Sequence, residues 1–231
     1  MSEKKQNQSE IEKEAAAKTA VSFVKDNDIV GLGTGSTAKF AIEELAKLVK
    51  GGLKITGVAS SIKTEKLAVS LGIKMQELGK TSHIDISIDG ADEFTESLDL
   101  IKGGGGALFR EKILASLSKN RIIVTDSSKK VEKLGAFKVP IEVIPTAYQY
   151  VVNELEKLNG IVNLRYKEGK IFISDNNNYI VDVDFGLIDE PQKLSKSLNQ
   201  IDGLLAHGLF VSLTSKVIMV KDGQLFTFIK D

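Results

Sequence analysis

Four short apolar runs punctuate the first half of this 231-residue chain: Ile29 to Leu32, Lys54 to Ala59, Ile84 to Ile88 and Arg121 to Thr125. Between and before them lie segments of helical period. Ile11 to Lys25 repeats through Ala15, Ala16, Thr19, Ala20, Phe23 and Val24, and Ala38 to Val49 through Phe40, Ala41, Leu45 and Leu48. Thr64 to Leu71 and Ala107 to Leu117 read as two more helices. Strands that alternate with helices need crossover connections, so the pattern predicts an α/β fold built on a Rossmann-like open sheet. Residues 1–10 are polar and are expected to fray.

The rhythm changes near Gly135. The run Val139-Pro-Ile-Glu-Val-Ile-Pro145 holds two of the three prolines, which suits a crossing between domains. A helix is expected over Ala147 to Leu158, a hairpin from Ile161 to Tyr166 and Lys170 to Ser174, a strand over Tyr179 to Val183, and a helix over Asp189 to Ile201 opened by Pro191. Gly208 to Val211, Lys216 to Val220 and Leu225 to Ile229 read as strands, the last two joined by a turn at Asp222-Gly223. The expected organisation is an α/β catalytic domain, residues 1–134 plus 207–231, with a smaller α+β (ferredoxin-like) domain, 135–206, inserted into it.

Composition excludes several function classes. Thirty-one basic and 31 acidic side chains cancel, so no net field favours nucleic acid or an anionic membrane. Cysteine is absent and the two histidines, His83 and His207, are far apart, which argues against a metal site. No apolar run nears the roughly 18 residues of a membrane span, and the charged N-terminus lacks the apolar stretch of a secretory signal; a cytoplasmic address is expected.

The chemistry gathers after the strands. Gly31-Leu-Gly-Thr-Gly-Ser36 has Ser where a dinucleotide fingerprint needs its third glycine, and no acidic residue follows for a ribose hydroxyl. It suits a cradle for one phosphate, built from helix-end amides and the hydroxyls of Thr34, Ser36 and Thr37; the alternative is a tight turn with Ser36 as N-cap. Asp89 and Asp92 follow the third apolar run, with Gly90 between them permitting close ligand approach. Lys102 then precedes four glycines, Gly103 to Gly106, whose ordering is entropically expensive unless their bare amides are needed. Glu111 lies in the first turns of the next helix, where the helix N-terminus and the neighbouring cations Arg110 and Lys112 are expected to keep it ionised. Carboxylates, a lysine and free amides together suit proton transfer beside a developing oxyanion. Lys129, past the fourth run, could hold a phosphate as a point charge.

Gly33-Thr-Gly-Ser-Thr37, Asp89-Gly-Ala-Asp-Glu93, Lys102-Gly-Gly-Gly105 with Arg110-Glu-Lys112, and Val139 to Pro145 together resemble type A ribose-5-phosphate isomerases, in order and spacing over essentially the whole chain. The chain departs from that pattern in a longer polar N-terminus, a fourth glycine at Gly106, and Asn177 in a turn that often has Gly. The resemblance implies cofactor-free and metal-free interconversion of D-ribose 5-phosphate and D-ribulose 5-phosphate through an enediolate. By the same resemblance Glu111 is the carbon base, with Asp89 and Asp92 acting on the sugar oxygens. Lys102 and the amides of Gly103, Gly104 and Gly105 stabilise the enediolate; Gly90 and Ala91 lie against the sugar; Thr34, Gly35, Ser36, Thr37 and Lys129, with Lys13 as a further candidate, hold the phosphate. A homodimer or homotetramer is implied as well. Two rivals remain open: a sugar-phosphate sensor, which would not need Glu111 near Lys102, and a coenzyme A transferase, which would need room for a large cofactor.

Overall fold

The structure, a computed structural model, describes residues 3–229, with side chains from residue 8 onward. Helix α1 (Glu3–Val21) leads into β1 (Ile29–Leu32), α2 (Ser36–Lys50), β2 (Thr56–Ala59), α3 (Ile62–Ser70) and β3 (Ile84–Asp89). Two short strands, β4 (Glu93–Phe94) and β5 (Leu100–Ile101), precede α4 (Leu108–Leu117) and β6 (Ser118–Asp126). The next region runs β7 (Val139–Val143), α5 (Tyr148–Lys157), β8 (Ile161–Leu164), β9 (Tyr166–Lys167), β10 (Lys170–Ile171), β11 (Tyr179–Asp184), α6 (Pro191–Leu198) and β12 (Leu204–His207). The chain closes with β13 (Leu209–Phe210), β14 (Lys216–Lys221) and β15 (Gln224–Ile229).

The main sheet has the order β15-β14-β6-β3-β1-β2, parallel except for the β14–β15 hairpin, as the alternating pattern implies. That hairpin turns through Asp222 and Gly223, both at positive φ, the geometry an Asp-Gly pair favours. Val30, Leu32, Ile86, Ile88 and Val124 pack beneath Ala16 and Ala20 of α1 and Ala41 and Leu45 of α2. Elsewhere on the sheet Ile123, Val217 and Met219 meet Phe94, Leu100 and Phe210. Because β2 and β3 flank β1 on opposite sides, the chain reverses direction across the sheet at β1, which leaves a crevice at the carboxyl ends of β1 and β3.

The second sheet, β12-β7-β11-β8, is antiparallel and carries α5 and α6, a βαββαβ arrangement of ferredoxin type. Val139, Ile141, Val181 and Val183 bury against Val151, Leu155 and Leu198.

Three expectations need correction. The segment Val139 to Val143 is no crossing but a wholly buried central strand, and it tolerates Pro140 because β12 ends opposite Ile141. Only the Pro140 carbonyl is then used, accepting from the Gly208 N–H at 2.7 Å. Strand β12 went unforeseen, and β8 pairs with β11 rather than with the 170–174 segment; the hairpin is confined to β9 and β10. Fraying over residues 1–10 does not describe residues 3–10, which are helical; residues 1 and 2 lie outside the described residues. Polar anchors explain why this polar stretch orders: Ser9 Oγ donates to Asp126 Oδ2 at 3.1 Å, and buried Glu12 accepts from Ser127 N and Oγ, each at 3.0 Å.

Candidate active site

A cleft of about 140 Å³ opens at that crevice, lined by Lys13, Thr34 to Thr37, Gly90 to Asp92, Lys102 to Gly105, Glu111 and Lys129. One edge is the β1–α2 turn. Gly35 is the helix N-cap with φ 112°, a conformation that favours glycine, and no side chain caps the helix. Ser36 is therefore the first helical residue and not the N-cap, which leaves the amides of the first turn directed at the cleft for an anion. Thr34 Oγ1 is tied behind the turn to Ser60 Oγ at 2.8 Å and Ser61 Oγ at 2.9 Å, and Thr64 Oγ1 donates to the Gly33 carbonyl at 2.9 Å. This hydroxyl cluster stiffens the cradle. Lys13 and Lys129 approach from α1 and the turn after β6, with Lys13 Nζ 3.3 Å from Asp126 Oδ2.

Asp89, the last residue of β3, is the hub behind the cleft rather than part of its lining. Its Oδ1 accepts from Thr34 N at 3.1 Å and Gly90 N at 2.8 Å, and its Oδ2 pairs with Lys102 Nζ at 2.9 Å. A Cβ at Gly33 would overlap the Asp89 carboxylate, so the glycine is required by close approach and not by backbone conformation. Gly33→Ala is accordingly expected to push Asp89 off Lys102, costing about 1–3 kcal/mol of unfolding free energy in a denaturant titration together with most of the activity.

Lys102 is 3% exposed, as is Glu111. Its ammonium donates to the Gly90 carbonyl at 2.5 Å, lies 3.8 Å from Glu111 Oε2 and sits 5.4 Å from the Phe210 ring centroid. Burial works against its charge, but Asp89 and Glu111 outweigh burial and hold its pKa above the usual lysine value. Its backbone N–H donates to Gly208 O at 2.9 Å, so the segment leaving β12 locks the lysine's main chain.

Glu111 behaves differently from the sequence expectation. Burial raises its pKa to about 8; Lys102 pulls it down, and Asp89 and Asp92 push it up further. The flanking cations are not available to it, because neighbours on a helix point away from each other. Arg110 donates to Asn176 Oδ1 at 2.9 Å and the Asp175 carbonyl at 3.2 Å. Lys112 donates to the carbonyls of His207 at 2.6 Å and Leu209 at 3.0 Å, and its burial drags its pKa down to about 7. His207, pressed down to about 3 first by burial and then by Lys112, is neutral and outside the cleft. Glu111 Oε2 is buried and, among the described residues, accepts no hydrogen bond from a protein donor of ordinary geometry.

The glycine segment closes the cleft. Gly103 and Gly106 have φ of 98° and 80°, and Gly106 N donates to Gly103 O at 2.9 Å. The Gly104 amide is used by Asp92 Oδ2 at 2.8 Å, whereas the Gly105 N–H meets no partner among the described residues. Gly106 is demanded both by its φ and by the Phe172 ring, which a Cβ would overlap. At the other departure, Asn177 occupies φ 62° as that turn requires.

Every sequence-derived site residue except Asp89 thus lines one cleft, with Asp89 directly behind it. Sequence reading missed the hydroxyl cluster, Glu12, and Arg165 with Asp182 beside the glycine segment. No periodicity or motif marks these, since each acts through a partner distant in sequence. Among the described residues no cluster of three or more His, Cys, Asp or Glu is arranged to hold a metal ion, and no helix is long and apolar enough to cross a membrane.

Comparison with known proteins identifies the family. The family model of ribose 5-phosphate isomerase A (phosphoriboisomerase A) matches residues 56–224. The chain is 46% identical over 211 residues to ribose-5-phosphate isomerase A of Brucella suis, covering 89% of this chain and 91% of that protein. It is 40% identical over 215 residues to ribose-5-phosphate isomerase A 2 of Oceanobacillus iheyensis, covering 93% and 96%. Among solved structures, ribose 5-phosphate isomerase from Plasmodium falciparum superposes with a TM-score of 0.91 at 41% identity, covering 94% of this chain and 97% of that one. A D-ribose-5-phosphate isomerase in complex with phospho-erythronic acid gives 0.92 at 36% identity, covering 96% and 99%. With sequence and fold matched over nearly its whole length, the chain belongs to the ribose-5-phosphate isomerase A family.

Proposed function

We propose a division of labour within the cleft for the interconversion of D-ribose 5-phosphate and D-ribulose 5-phosphate that this isomerase carries out. Glu111 takes the proton from C2 of the open-chain aldose. The C2–H electron pair forms the C1–C2 double bond, and the carbonyl pair moves onto O1, giving the enediolate. Lys102 and the Gly105 amide neutralise that oxygen. The protonated Glu111 then delivers its proton to C1, while the O2 proton passes to O1 through Asp92, so that the ketone forms at C2 and a hydroxyl at C1. Asp92 exchanges protons with the sugar oxygens from the cleft side; Asp89 acts through Lys102, whose charge it sustains and which stabilises the oxygen charge that develops on ring opening.

The observation that carries this reading is the buried Glu111 Oε2, left without a hydrogen bond in the cleft beside a buried ammonium. A buried carboxyl oxygen short of a hydrogen-bond donor is costly, and a substrate proton can supply the missing partner. Phosphate at Thr34, Gly35, Ser36, Thr37, Lys13 and Lys129 would anchor the far end and orient the carbons. Phospho-erythronic acid, bound by a related structure, combines a phosphate with a carboxylate on a short polyhydroxy chain, charges that match the two ends of this cleft.

The domain division, 1–134 with 207–231 and 135–206, belongs to the proposal. It is supported by the two separate sheets, with His207 on the seam. So do a homodimeric or homotetrameric assembly and a cytoplasmic address; light scattering of the purified protein tests the assembly. The chemistry is tested by incubating the protein with ribose 5-phosphate in deuterated water with excess EDTA. Ribulose 5-phosphate carrying deuterium at C1 is expected; no turnover, or turnover abolished by EDTA, contradicts the mechanism. Lys129→Ala is expected to raise KM about tenfold with a smaller change in kcat, the pattern of a lost phosphate contact.

A further inference from the structure

Two side chains clamp the glycine segment: Asp92 accepts from the Gly104 amide, and Arg165 of the smaller sheet holds the carbonyls. Arg165, in the link between β8 and β9, donates from Nη1 to the Gly104 carbonyl at 3.0 Å and to the Gly103 carbonyl at 3.3 Å. Its remaining donors form a two-pronged pair with Asp182 of β11, Nε reaching Oδ2 at 2.8 Å and Nη2 reaching Oδ1. Its backbone is fixed on both sides, by Arg165 N to Ile180 O at 2.8 Å and Phe172 N to Arg165 O at 2.9 Å. The Phe172 ring, 5.8 Å from the guanidinium, lies against Gly106.

A peptide group is planar and trans, so its C=O and the next N–H point in opposite directions. A guanidinium holding the Gly104 carbonyl on one side therefore sets the Gly105 N–H on the other, and Gly105 lines the cleft. Four consecutive glycines would otherwise leave that peptide free to rotate. We propose that Arg165, held by Asp182, is a positioning residue for the isomerisation: it fixes the Gly104–Gly105 peptide so that its N–H is pre-aimed at the enediolate oxygen. The inference rests on the reading of the Gly105 amide as an oxyanion donor. It assigns the smaller sheet a part in catalysis, although Arg165 touches no reacting atom.

A donor that matters only as charge develops affects kcat, whereas the phosphate cradle at Thr34 to Thr37 is built separately and keeps its affinity. The experiment compares wild type, Arg165→Met, Arg165→Lys and Asp182→Asn in the full chain, measuring kcat, KM, inhibition by inorganic phosphate and thermal midpoint. Arg165→Met is expected to lower kcat by about 10- to 100-fold while KM and phosphate inhibition change less than about threefold. Arg165→Lys, which keeps a donor but loses the fork, recovers part of kcat. Asp182→Asn, which leaves the arginine in place but loosens it, lowers kcat in the same direction and serves as the decisive variant if Arg165→Met does not fold. Wild-type turnover in the same assay stands for the underlying reading. A variant kcat equal to wild type, or a fall in kcat matched by an equal loss of phosphate inhibition, overturns the Arg165 assignment while leaving the isomerase reading of the cleft in place.

Discussion

Glu111→Gln is expected to lower kcat by at least about a thousandfold while leaving KM within a few-fold of wild type, because it removes the carbon base but keeps the shape of the cleft. The same substitution should stabilise the protein at alkaline pH. Burial raises the folded-state pKa of Glu111 to about 8, above the ordinary 4.5, so the folded protein holds this proton more tightly than the unfolded chain does. Its contribution to stability is complete below the unfolded value and is lost as pH rises through the folded value. A glutamine has no such loss. Unfolding titrations should give equal stabilities near pH 4 and a more stable variant at pH 9. Retained activity would show that Glu111 is not the base, and a variant less stable than wild type at pH 9 would show that it is not a strained buried acid.

Lys102→Met is expected to be the most destabilising substitution in the site, by about 3–5 kcal/mol, because it leaves Asp89 and Glu111 buried together without their shared cation. Lys102 is held by Asp89 Oδ2 at 2.9 Å and the Gly90 carbonyl at 2.5 Å, and no other described cation pairs with either carboxylate. Glu111, whose raised pKa Lys102 pulls down, then stays protonated to still higher pH. Activity should fall by about a hundredfold or more beyond any loss of folded protein, since the charge facing the enediolate oxygen is gone. Denaturant titration and kcat measured on the same preparation separate the two effects. A variant of unchanged stability would mean that the buried charges are not coupled as their distances indicate.

The parts legible in the sequence were those encoded locally. Apolar runs such as Ile84 to Ile88 announce buried parallel strands because both faces of the sheet are covered. The clustering of Gly33, Asp89 and Lys102 after strands announces a crevice at their carboxyl ends. Central strand β7 was hidden by Pro140, whose tolerance depends on where β12 stops, a tertiary fact. The protonation of Glu111 was misjudged for a related reason. Arg110 and Lys112 are adjacent in sequence but engage Asn176, His207 and Leu209, so burial, which no local pattern records, decides the sign. Arg165 and Asp182 become a pair only once β11 lies beside β8.

The central claim is that a single buried carboxylate, with its pKa displaced upward, takes the substrate proton. The pH dependence of kcat/KM tests it most directly, because that ratio reports ionisations of the free enzyme and free substrate. The substrate phosphate titrates near pH ~6 and is distinguishable from the base. The account predicts an acidic limb whose apparent pKa lies near 8, the value to which burial moves Glu111. A limb governed by a group near the ordinary carboxylate value of 4.5 would contradict it.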